Sequence, residues 1–108
     1  MPSNPVRYKI ADNARNLHFP GSGILKIRLG EKDICLIKKD DELFACAARC
    51  PHAGGDLSAG YTDSRGNIVC PVHNFKFSFK NGRQSTGEDY RLKVYSAETS
   101  EEGVYVLI

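Results

Sequence analysis

The sequence predicts an all-β protein, and three observations carry that reading. Short apolar runs alternate with turn-forming residues, no segment keeps a helical period beyond one or two turns near "ADNARNL", and the runs are rich in β-branched and aromatic residues. At 108 residues the chain is expected to form one domain, 1–108, long enough to bury a single core.

The expected strands follow in order. "RYKI" comes first, then "ILKIRL", "DICLIK" and "LFACAA". A two-residue turn at Asp40-Asp41 would join the last two and set Cys35 opposite Cys46. "NIVCP" and "FKFSF" come next; Phe75, Phe77 and Phe79 share one face while Lys76 and Ser78 share the other, as in a half-buried strand. That alternation favours core packing over a base-stacking surface. Asn81-Gly82 is the dipeptide with the strongest type I′ signal, so a hairpin is expected there, with "YRLKVY" and "VYVLI" closing the chain.

Composition removes several classes of function. The net charge of +2 comes from 15 basic and 13 acidic residues without a basic stripe, so a nucleic-acid partner is not expected. "MPSNPVRYKI" lacks the apolar core of a signal peptide, and no run nears the ~20 apolar residues of a membrane span. The expected location is therefore cytoplasmic, with no membrane partner. In that compartment the four cysteines should be thiols or metal ligands. Cys35 and Cys46 read as small buried hydrophobes rather than a disulfide, and His18, with no ligand-like neighbour, as a loop residue.

The chemistry concentrates elsewhere. Cys50, His52, Cys70 and His73, four of the chain's seven Cys and His residues, fall within 24 positions as CxH followed by CxxH. Pro51, Gly54 and Gly55 flank the first unit, and Pro71 and Asn74 the second, which places both on loops. Two thiolates and two imidazoles suit zinc or an iron–sulfur centre. A C2H2 finger sets two Cys before a helix and two His after it, whereas here Cys and His alternate with no helix between. A binuclear cluster could use the alternation, each loop giving one ligand to each iron.

"CPHAGG" and "CPVHNFKFSFKNGR" resemble the two cluster-binding boxes of the Rieske family, most strongly from about Arg49 to Arg83. The resemblance implies an antiparallel β-sandwich or partly open barrel carrying a two-loop cluster-binding subdomain, here about 46–84. It also implies one [2Fe–2S] cluster, with Cys50 and Cys70 on one iron and His52 and His73 on the other. Gly54, Gly55, Asn74 and Phe75 would stand around it; the two glycines would allow close backbone approach, and Asn74 tolerates a left-handed conformation.

Charge explains the use of such a site. Two ferric ions and two sulfides sum to +2; four thiolates bring the total to −2, but two thiolates and two neutral imidazoles bring it to zero. A neutral site accepts an electron more readily, hence potentials of roughly −150 to +300 mV against about −400 mV for all-cysteine plant-type clusters. In high-potential members of the family an extra Cys in each box forms a disulfide, and Ser and Tyr hydroxyls bond to sulfur; those four positions here are Gly55, Val72, Phe75 and Phe77. A low-potential centre is expected. The family's proline-bearing cover after the second box is missing from "STGEDYRLK", so little shielding is expected on that side.

The resemblance implies a soluble ferredoxin passing single electrons from a flavoprotein reductase to a terminal oxygenase or other reductase, with no catalytic group of its own. An alternative is the Rieske-like small subunit of an NAD(P)H-dependent nitrite reductase, partnered by its large subunit; a structural zinc module is third. Lys76, Lys80 and Arg83 could guide an acidic partner, although solvated surface charge is the simpler account.

Overall fold

A computed structural model describes residues 6–52, 54–72, 74–85 and 90–108. Among these residues nine strands are assigned: β1 (Arg7–Ala11), β2 (Ile24–Leu29), β3 (Lys32–Lys39), β4 (Glu42–Ala47), β5 (Tyr61–Thr62), β6 (Asn67–Val69), β7 (Lys76–Ser78), β8 (Val94–Ser100) and β9 (Gly103–Leu107). A six-stranded sheet runs β1-β9-β8-β4-β3-β2 and curls into a partly open half-barrel, its β4 leading into the loop that holds Cys50; a second sheet, β5-β6-β7, carries the loop that holds Cys70 between β6 and β7. Every pairing is antiparallel. Short 3₁₀ turns at Ala14–Asn16, within the expected helical stretch, and at Leu57–Ala59 are the helical elements among the described residues.

β3 explains the layering. Ile34, Cys35, Leu36 and Ile37 are all fully buried, because both faces of this central strand are covered. Cys35 and Ile37 face a core that includes Cys46, Cys50, Leu57, Ile68, Cys70, Phe77 and Leu92. Ile34 and Leu36 pack with Ala45 and Val106 on the opposite side. The large sheet is thus one wall of the layer that holds Cys50 and Cys70.

The β3–β4 hairpin has its expected register. Lys39 pairs with Glu42 across Asp40-Asp41, both of which adopt positive φ (50° and 66°), and Cys35 pairs with Cys46. No cysteine is in a disulfide. The Cys46 thiol has its pKa pushed up, first by its hydrogen bond with Cys35 and then by burial, which suits an inert core pair.

The second hairpin departs from expectation. Asn81-Gly82 is not a two-residue type I′ turn: only Gly82 has positive φ (79°), and Phe79–Gly82 form a four-residue connection between Ser78 and Arg83. Side chains build it. Ser78 Oγ accepts from the Lys80 and Asn81 N–H groups at 3.2 and 3.4 Å, and Asn81 Oδ1 accepts from the Arg83 N–H at 2.9 Å. "FKFSF" narrows accordingly to Lys76–Ser78, although Phe77 and Phe79 still point into the core. "YRLKVY" likewise becomes a strand only at Val94, and β8 then continues through the polar run "SAETS".

Candidate metal centre

The two loops that hold Cys50 and Cys70 repeat one backbone pattern among their described residues. In the first, Arg49 pairs with Asp56; in the second, Val69 pairs with Lys76. Between these ends the Cys50 N–H donates to the Gly55 carbonyl and the Cys70 N–H to the Phe75 carbonyl, both at 2.8 Å. The N–H four residues on then returns to the cysteine carbonyl, Gly54 to Cys50 at 2.8 Å and Asn74 to Cys70 at 2.9 Å. Such a turn ends in a left-handed residue, and Gly54 (φ 70°) and Asn74 (φ 58°) supply it, each four positions after its cysteine.

These loops converge. A Cβ on Gly55 would lie 3.1 Å from Cys70 Sγ and 2.6 Å from Val72 Cγ2, so the first loop can approach the second only with glycine at this position. Cys50 and Cys70 are each 1% exposed, and the Nδ1 atom of His52 is shielded from solvent. His73 lies outside the described residues, as does Ala53.

The surroundings of His52 were only partly legible. Phe75 stacks on its ring with centroids 3.8 Å apart and planes 17° from parallel. Tyr90 meets the same ring edge-on at 4.9 Å and Phe75 at 6.0 Å. Tyr90, from the stretch expected to give little cover, is therefore an aromatic wall that the sequence reading missed; its signal was an aromatic residue within polar sequence. The Arg49 side chain lies across Gly54, where a Cβ would come within 3.2 Å of its guanidinium. Asp56 anchors the first loop: it accepts from the Ser58 N–H at 3.0 Å and hydroxyl at 2.6 Å, and pairs with Lys26 on β2 at 3.1 Å.

Among the described residues no three Cys, His, Asp or Glu side chains are grouped as for a bound ion, but two buried thiols and the His52 ring on matched loops, with a second histidine following Cys70 in the sequence, are donor types that suit a mixed sulfur and nitrogen metal centre. The sequence matches the family model of the Rieske [2Fe-2S] domain over residues 8–96, and the chain belongs to that family. Its cofactor is a Rieske-type [2Fe–2S] cluster rather than structural zinc. A 3-phenylpropionate/cinnamic acid dioxygenase ferredoxin subunit from Photorhabdus laumondii is 28% identical over 91 residues, covering 83% of this chain and 86% of that protein. Human apoptosis-inducing factor 3 is 32% identical over 83 residues, 75% of this chain but 13% of that protein.

Among solved structures, a chain from the complex of reduced oxygenase and oxidized ferredoxin in carbazole 1,9a-dioxygenase aligns with a TM-score of 0.76. Its sequence identity is 26%, over 92% of this chain and 99% of that one. A structure described as an NADH-dependent nitrite reductase small subunit from Mycobacterium tuberculosis aligns with a TM-score of 0.78 at 18% identity, over 95% and 94% of the two chains. The latter similarity is one of fold.

Proposed function

We propose that this chain is a Rieske-type ferredoxin, a one-electron carrier between a flavoprotein reductase and a terminal oxygenase. Cys50 and Cys70 would hold one iron, His52 and His73 the other, within a cluster-binding unit of about residues 46–84. When bound, the cluster supplies a site that accepts and returns a single electron. The protein's part is to bury and orient. The two cysteines sit in the core, while Phe75 and Tyr90 fix the His52 ring and restrict water around it.

The observation that carries this reading is the convergence of two matched loops, with Gly55 set against Cys70. The oxygenase as acceptor is favoured by the similarity to a dioxygenase ferredoxin subunit and to the ferredoxin–oxygenase complex. The fold similarity to the nitrite reductase small subunit supports a second reading, a subunit delivering electrons to a large reductase partner. A cytoplasmic location agrees with four cysteines outside any disulfide. Among the described residues no helix is long and apolar enough to cross a membrane.

The test is visible absorption and low-temperature EPR of anaerobically purified protein, followed by turnover with a reductase and an oxygenase. A red-brown protein with a reduced-state signal of low average g, lost in His52→Ala and His73→Ala, is expected. Zinc without labile sulfide would overturn the reading. Turnover only with a large nitrite reductase subunit would establish the second.

A further inference from the structure

We propose that the groove between the start of β3, the end of β4 and the first cluster loop is a carboxylate-binding site that receives acidic side chains of a redox partner. The proposal rests on the carrier reading above. The groove has a volume of about 450 Å³, with Lys26, Lys32, Asp33, Arg49 and Asp56 as its charged lining and Tyr95 at one side. It is open to solvent, and small residues at Ala47, Ala48, Gly54 and Gly55 leave room for a protruding side chain against backbone.

Charge decides what enters. Both acids of the groove are already matched: Asp33 Oδ1 lies 3.0 Å from Arg28 Nη1, and Asp56 Oδ2 lies 3.1 Å from Lys26 Nζ. Lys32 and Arg49 have no carboxylate partner among the described residues, and with Asp33 engaged by Arg28 from outside the groove and Asp56 by Lys26 within it, these two cations are the ones left to face an incoming carboxylate. Lys32 is held near the Tyr95 ring, its Nζ 5.9 Å from the centroid, with Lys93 at 5.8 Å from the same ring. Arg49 lies over Gly54, and its planar fork is suited to two carboxylate oxygens.

Position makes the groove relevant. Gly55 lines it and also stands against Cys70 Sγ, so a partner seated there touches the loop that carries Cys50 and His52. The groove beside β6 and β7 lacks this combination. Its Lys76 leans toward Asp63 at 4.0 Å, and no residue of the 49–56 loop lines it.

The probe is fluorescein-labelled octaglutamate, titrated by anisotropy into cluster-loaded protein at low and at physiological ionic strength. Saturable binding is expected, weaker at higher salt. It should weaken about fivefold or more in the K32A/R49A double variant and be unchanged in K76A/K80A. Equal weakening by K76A/K80A would overturn the proposal, because attraction would then follow net charge rather than this groove; so would absence of binding. Competition by free glutarate or phosphate as effective, per carboxylate or phosphate group, as octaglutamate would also overturn it in favour of a small-anion site. Visible absorption of each variant confirms loading, and a wild-type protein without a cluster spectrum would defeat the carrier reading whatever the peptide does.

Discussion

Phe75 lies flat on His52, 3.8 Å between centroids, on the loop that follows Cys70 but against a residue of the loop that follows Cys50. The contact ties the two loops together on the histidine side, as Gly55 against Cys70 does on the cysteine side. Aromatic pairs of this kind are worth about 0.5–1.5 kcal/mol, or about 2- to 13-fold in an equilibrium. Phe75→Ala should shorten the life of the cluster in air by a factor in that range, with Phe75→Leu between it and the wild type. Loss of visible absorption over time measures this, and an unchanged lifetime would show that the stacking does not hold the loops.

The same residue bears on the reduction potential. Neither Phe75 nor fully buried Phe77 carries a hydroxyl to donate toward sulfur, and such donors stabilise the reduced, more negative cluster. The midpoint should therefore fall in the lower half of the roughly −150 to +300 mV range. A redox titration giving a value above roughly +100 mV would contradict the argument.

Gly55 tests the loop convergence directly. Gly55→Ala brings a methyl to 2.6 Å from Val72 Cγ2 and 3.1 Å from Cys70 Sγ, so the loops must part. Iron and labile sulfide per chain should drop to about half or less. Adding Val72→Ala removes the tighter contact but not the one to sulfur, so partial recovery is expected. Full loading of the single variant would mean that the backbone yields without cost.

What could be read in the sequence was what local chemistry decides. Asp40-Asp41 forms the tight turn because two short acidic residues tolerate positive φ, and the register then places Cys35 opposite Cys46. The CxH and CxxH spacing located both loops, since proline and a left-handed residue punctuate each of them. Asn81-Gly82 misled because Ser78 and Asn81 spend their side chains on backbone N–H groups, stabilising a longer turn that competes with type I′. Tyr90 was illegible for another reason: its contact with His52 spans 38 sequence positions and exists only after the loops have met. β8 was missed where "SAETS" carries no apolar alternation, its pairing coming from the neighbouring β9.

Asp56 sets a pH dependence. Its pKa is lowered, chiefly by the Ser58 hydrogen bond, with burial opposing and Lys26 adding to the lowering. A folded-state pKa below the unfolded one means stabilisation that is present above about pH 4 and is lost as pH falls through the folded value. Asp56→Ala should be less stable than wild type near neutral pH, and the gap should narrow progressively as the pH is lowered below about 4. Thermal unfolding by circular dichroism at a series of pH values measures the gap; one that stays constant would show that ionised Asp56 is not responsible.

Gly82 and Gly23 separate backbone strain from steric contact, since both have φ of 79°. A Cβ on Gly23 would find its nearest neighbour, the Lys38 carbonyl oxygen, at 3.9 Å, whereas one on Gly82 would lie 1.9 Å from the Leu92 carbonyl oxygen. Gly23→Ala should therefore cost only the left-handed penalty, about 1–2 kcal/mol. Gly82→Ala must also push away the Leu92 backbone, whose N–H donates to the Gly82 carbonyl at 2.9 Å and whose side chain is buried in the core beside Cys50 and Cys70. A cost of about 3 kcal/mol or more is expected. Urea unfolding of the two variants compares them directly: equal losses would mean that the close approach of Gly82 to Leu92 relaxes freely, and a larger loss at Gly82 would identify this contact as a fixed support of the layer beneath the metal centre.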